Sequence, residues 1–146
     1  MELESLVINL GTEIPKGFCK ACYNLNNINL PNELKIINEE AFEDCTSLSS
    51  IIFPQSLTLI RADAFCGCTS LKNVIFNENL TEINEHAFKE CYKLESVKLP
   101  STLKIIKYQA FCRCESLKNV YIPKTISKIE SKVFGDCSQL RNIIVY

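Results

Sequence analysis

The sequence predicts a right-handed solenoid of parallel β-strands, and three observations predict it. Six cysteines, Cys22, Cys45, Cys68, Cys91, Cys114 and Cys137, stand 23 residues apart at every step. Apolar positions keep the same interval: Leu25, Leu48, Leu71, Leu94, Leu117 and Leu140 each follow a cysteine by three residues. An aromatic closes five units in the same register, at Phe42, Phe65, Phe88, Phe111 and Phe134. A coil of 23 residues cannot bury its own inward face, and only stacking on equivalent neighbours closes a continuous core. Like residue must therefore lie over like, and each inward column becomes a ladder.

The elements follow from spacing within one unit. The run Leu71, Val74, Phe76 ends in period-two alternation of β-branched and aromatic residues, which predicts a short parallel strand on the concave side. The next position is Pro31, Pro54, Asn77, Pro100 or Pro123, a residue that can leave the sheet without wasting a ladder donor. A pair such as Leu57 and Ile60 then returns as a second, minimal strand. Ala64, Phe65 and Cys68 suit one turn of α or 3-10 helix, too short to stand without packing.

The phrase LPSTLKIIKYQAFCRCESLKNVYIP, residues 99–123, resembles the BspA-like leucine-rich repeat, also called the Treponema-type repeat, with its A-F-x-x-C-x-x-L-x-x-V core. The resemblance implies a leucine-rich repeat solenoid. It covers residues 18–146 as five to six repeats in a single domain, expected to be part of a longer protein, with residues 1–17 as an irregular N-terminal repeat or cap. The common pattern L-x-x-L-x-L-x-x-N-x-L is met only in its first half, since Glu33 and Thr102 stand where Asn or Cys belongs. Family members are often surface proteins of host-associated microbes, so the resemblance implies a protein-interaction module and, more sharply, an adhesin for host proteins. An intracellular adaptor with a reduced-cysteine core is the alternative.

Composition excludes several classes. The chain has 146 residues, 47% of them apolar, and a net charge of −1, so it can bury a core and lacks the basic excess of a nucleic-acid binder. No apolar run is long enough for a membrane span, and acids rather than bases precede the first apolar stretch, unlike a secretory signal. That start and the abundance of thiols point to the cytoplasm, whereas the family resemblance points to the cell surface.

Nine cysteines invite a metal or redox reading. The six at the repeat interval are expected inside, as small apolar side chains with a weak donor. Cys19, Cys66 and Cys112 follow the aromatic, where other units carry Glu43 or Lys89, and are expected to face water as free thiols. The first unit is irregular, with one residue more from Phe18 to Cys22 than from Phe42 to Cys45. Inward and outward cysteines cannot grip one ion, so no metal and no cofactor is expected. The single histidine, His86, has Glu40, Asp63, Gln109 and Lys132 as equivalents, and no nucleophile and base pair stands out. No catalytic residue is assigned, and the chain is not expected to be an enzyme.

Function must then reside in the displayed face. Each predicted strand points two residues outward, giving one column of Asn or Ser that includes Asn73, Asn119 and Asn142. A second column reads Asn29, Ile52, Ile75, Lys98, Tyr121 and Ile144. Apolar side chains where water is expected mark a contact surface for a protein partner. An end-to-end homodimer is a further expectation, because a final rung presents open core and strand edge.

Overall fold

The computed structural model describes residues 2–9 and 11–146 as one coil of short strands. The outward-facing side of each turn is β1 (Ser5–Val7), β3 (Asn27–Asn29), β5 (Ser50–Ile52), β7 (Asn73–Ile75), β9 (Ser96–Lys98), β11 (Asn119–Ile122) and β13 (Asn142–Val145). The second side is a continuous parallel sheet of two-residue strands: β2 (Glu13–Ile14), β4 (Ile36–Ile37), β6 (Leu59–Ile60), β8 (Glu82–Ile83), β10 (Ile105–Ile106) and β12 (Lys128–Ile129). Every pairing is parallel, and from β2 onward partners lie one repeat apart, as Ile14 with Ile37 and Ile106 with Ile129. In the first rung Leu6 pairs with Ile28, so the chain runs one residue short between β1 and β2.

The helical turn expected around Ala64 to Cys68 is not formed. Two residues in every unit, four apart, take the left-handed conformation: Gly17 and Ala21, Glu40 and Asp44, Asp63 and Gly67, His86 and Glu90, Gln109 and Arg113, Lys132 and Asp136, with φ between 55° and 73°. A helix tolerates no such residue in its interior. The alternation instead directs successive amides along the stack. Asp63, Phe65 and Gly67 N–H groups donate to Glu85, Ala87 and Lys89 of the next rung at 2.8–3.0 Å. The intervening Ala64, Cys66 and Cys68 N–H groups close local turns on Arg61, Asp63 and Phe65. This third side is thus a hydrogen-bonded ladder too, and a local helix loses to it because it would leave the rungs unlinked.

Between these walls lies a core of stacked columns. Phe42, Phe65, Phe88 and Phe111 are fully buried. Successive rings are stacked at 5.3–5.8 Å between centroids, through to the half-buried Phe134. Phe53 and Phe76 meet this pile edge-on, a geometry that aromatic quadrupoles favour.

The cysteine column has a role beyond filling space. The thiols of Cys45, Cys68, Cys91, Cys114 and Cys137 donate to the carbonyls of Cys19, Phe42, Phe65, Phe88 and Phe111 in the preceding rung, at 3.1–3.5 Å. Four of these carbonyls, those of Cys19, Phe42, Phe65 and Phe111, already take the N–H of the residue three further on, so there the thiol satisfies the second lone pair. Alanine would fill the slot without doing so.

The remaining cysteines correct two expectations. Cys19 does not share a column with Cys66 and Cys112: its N–H donates to Ala41 O just as that of Phe42 donates to Ala64 O, so Cys19 occupies the aromatic slot of the first rung. Phe18 falls one position early and is 47% exposed. Nor is Cys19 a free thiol, because it forms a disulfide with Cys22. The aromatic and cysteine columns are neighbours, so replacing Phe by Cys in one rung brings two sulfurs together. Cys66 and Cys112 are free but do not face water: Cys66 is half-buried and Cys112 is 2% exposed. The Cys112 thiol lies against Gly135 of the next rung, which has no side chain to displace it.

Burial pushes the Cys45 and Cys66 thiols up to about 12, and raises Cys68, Cys91 and Cys114 for the same reason. Cys137 is half-buried and shifted downward, chiefly by its hydrogen bond with Cys114. Iodoacetamide on the native protein at mild alkaline pH is therefore expected to modify Cys137 first, with Cys68 and Cys91 protected until unfolding, as read by peptide mass mapping. Phe88→Ala should lower unfolding stability by about 3–5 kcal/mol in chemical denaturation, because its neighbours are locked above and below and cannot collapse into the space. Reduction of Cys19–Cys22, which spans a sequence separation of 3, should cost about 2 kcal/mol from loop-closure entropy, and a shift in amide exchange confined to the first rungs would show it.

Candidate interaction face

The alternation of the odd-numbered strands decides what this face displays. Ile28, Ile51, Val97 and Val120 turn inward and are buried, while their neighbours turn outward. One outward column is Asn27, Ser50, Asn73, Ser96, Asn119 and Asn142; all are exposed except the half-buried Asn119. Asn142 Nδ2 donates to Asn119 Oδ1 at 2.7 Å, the one link of this column among the described residues. The second column is Asn29, Ile52, Ile75, Lys98, Tyr121 and Ile144. Ile52 is 68% and Ile75 56% exposed, side by side on paired strands, while Tyr121 is half-buried.

The sheet behind these columns is not continuous. β3 pairs with β1 and β5 with β7, but β3 and β5 are not hydrogen-bonded to each other, and neither are β7 and β9. At each break lies a groove open to solvent. The first, of about 410 Å³, is lined by Asn27, Asn29, Asn32, Ser50, Ile52 and Pro54. The second, of about 320 Å³, is lined by Val74, Ile75, Phe76, Glu78, Lys98 and Pro100. The Ile52 and Ile75 pair is therefore a ridge with a trough on either side, which offers more contact area than a flat sheet.

Tyr146 shapes the far end. Pro123 has no N–H to donate to Leu99 O, and the Tyr146 hydroxyl reaches across two turns to donate to that carbonyl at 2.6 Å. Its ring lies under the Lys98 ammonium, 5.7 Å from the centroid. Sequence reasoning missed this contact, although a tyrosine in the slot that elsewhere holds proline was the available signal.

Charge is unevenly placed. The turn side gathers Glu39, Glu40, Glu43, Asp44, Asp63 and Glu90, partly answered by Lys20, Arg61 and Arg113. His86 sits there with Nδ1 3.5 Å from Asp63 Oδ1 and Nε2 3.1 Å from Gln109 Oε1. Both ring nitrogens are thus engaged, and the nearby Cys66 thiol is held far above the range in which it would act as a nucleophile. Among the described residues, no three His, Cys, Asp or Glu side chains converge to hold a metal ion, and no helix is long and apolar enough to cross a membrane.

Comparison with known proteins agrees with this architecture. The model of the BspA type leucine rich repeat region matches residues 12–143 in 6 copies. Among solved structures, a leucine-rich repeat protein from Bacteroides ovatus superposes with a TM-score of 0.90 at 24% identity, covering 99% of this chain and 38% of that one. The leucine rich repeat protein of T. pallidum gives 0.74 at 34% identity over 79% of this chain and 53% of its own. A leucine rich cell surface protein from Faecalibacterium prausnitzii gives 0.52 at 21% identity, covering 98% and 60%. This chain therefore spans between about two fifths and three fifths of these proteins' lengths. No curated protein matches. With six copies of the repeat and the same coil of parallel strands, the chain belongs to the BspA-type leucine-rich repeat family.

Proposed function

We propose that the chain is a non-enzymatic protein-interaction module whose odd-numbered strands form the binding face. The observation that carries this reading is the exposed pair Ile52 and Ile75 between two grooves, beside an outward column made of Asn and Ser throughout. Aliphatic groups held by a rigid sheet lose little entropy on docking and are the usual centre of a contact, with a polar rim around them. Asn73, Asn119 and Asn142 supply that rim, and Tyr121, Ile144 and Lys98 extend the face toward the C-terminal rungs.

The sharper reading is a cell-surface adhesin that binds host proteins. It is supported by the family and by the description of the Faecalibacterium relative as a cell surface protein; the Cys19–Cys22 disulfide also favours an oxidising milieu. The free thiols favour the alternative, an intracellular adaptor. A membrane-impermeant biotin reagent applied to intact source cells separates the two: an adhesin is labelled before lysis, an adaptor only afterwards. For the binding face, Ile52→Asp with Ile75→Asp should leave circular dichroism and melting unchanged and weaken capture of the partner at least about tenfold, as central contact residues do. Unchanged capture would remove this face from consideration.

A further inference from the structure

The binding face is not electrically uniform. Its N-terminal half carries Asn27, Asn29, Ser50, Ile52 and Asn73 and no charge in either outward column. Its C-terminal half carries Lys98 on β9, Lys118 at the entry to β11, Lys124 after β11 and Arg141 at the entry to β13. None of these four cations forms an ion pair within 4.0 Å among the described residues, whereas Lys72, two rungs below Lys118 in the same column, is matched at 3.3 Å by Glu95 on the rung between them.

Lys118 and Arg141 are register mates on adjacent rungs: the N–H groups of Arg141 and Asn142 both donate to Lys118 O. Their side chains therefore leave the backbone about one strand spacing apart. Like charges in such a position repel, and an anion between them removes the penalty. The acids of this face do not pair with them: Glu95, beside Lys118 on the rung below, is held by Lys72, and Glu78 accepts from Ser101, while Glu40, Glu43, Asp44 and Asp63 gather on the turn side. A chain of net charge −1 thus presents a cluster of unpaired cations on the face that also carries the exposed Ile52 and Ile75. Tyr121 and Tyr146 lie among the cations and exclude water without adding charge.

We propose that this face binds a polypeptide segment of mixed character, laying aliphatic side chains against Ile52 and Ile75 and acidic side chains against Lys98, Lys118, Lys124 and Arg141. The inference rests on the binding face assigned above and names the chemistry of what it takes. A polypeptide fits better than a uniform polyanion, since the cations cover only half of the face and the apolar ridge has nothing to offer a phosphate backbone. Opposite charge on the acidic half would steer the encounter and fix direction along the coil.

The test uses the folded protein and a displayed library of random dodecapeptides, followed by fluorescence anisotropy with the enriched peptides. The expected peptides carry aliphatic residues toward one end and Asp or Glu toward the other. Their affinity should fall about tenfold with rising salt and with K118E/R141E. It should also fall with the charge-neutral K118Q/R141Q, which guards against misfolding of the reversal. If peptides respond to I52D/I75D but not to either charge variant, the acidic-partner inference fails while the face survives. If neither pair matters, or no peptide is recovered, both fail. Tighter binding of a short DNA duplex or of heparin than of any peptide would overturn the choice of a polypeptide.

Discussion

The inter-rung backbone ladder on the turn side governs the rest of this molecule. Phe42, Phe65, Phe88 and Phe111 each donate their N–H to the residue before the next aromatic, at 2.8–2.9 Å. These bonds hold each turn one β-spacing from the next, and that spacing is what brings equivalent side chains into contact. To aim the amides this way, each unit places two residues in the left-handed region, ten of the twelve such sites being non-glycine. Each costs about 1 kcal/mol against a right-handed conformation. No β-branched residue occupies any of these sites, which fits the steric reason for the cost.

Given that spacing, the inward columns have little freedom. Flat rings stack at close to parallel, with Phe65 and Phe88 only 4° apart, and the slot beside them must be small and able to donate toward a carbonyl one rung away. Cysteine meets both demands: its sulfur is large enough to leave no void and its S–H reaches the acceptor. The first rung shows what happens when the pattern changes. With Cys19 in place of the aromatic, Cys22 bonds to sulfur instead, and the adjacent Cys45 still finds its carbonyl, that of Cys19.

The interior is thus repetitive by necessity, and individuality is confined to the skin. The strand face takes whatever the sequence offers, because its side chains contact only solvent and lateral neighbours. Aliphatic residues at Ile52 and Ile75, cations at Lys98, Lys118 and Arg141, and the reach of Tyr146 across Pro123 give this face its character.

The interval of 23, the inward columns of Leu, Ile and Phe, the two strands per turn and the family itself could all be read from the sequence, because a stacked core writes its periodicity into the chain. Tertiary structure alone decided three things. It replaced a helical turn by a left-handed ladder, because amides prefer bonds that link rungs to bonds that close on themselves. It put Cys19 rather than Phe18 in the aromatic slot, because backbone pairing keeps the 23-residue step back from Phe42 whatever the side chain, and it took Cys112 out of water, because Gly135 of the next rung leaves room for the thiol. It opened grooves between β3 and β5 and between β7 and β9, since the outward columns carry no signal for where neighbouring strands part.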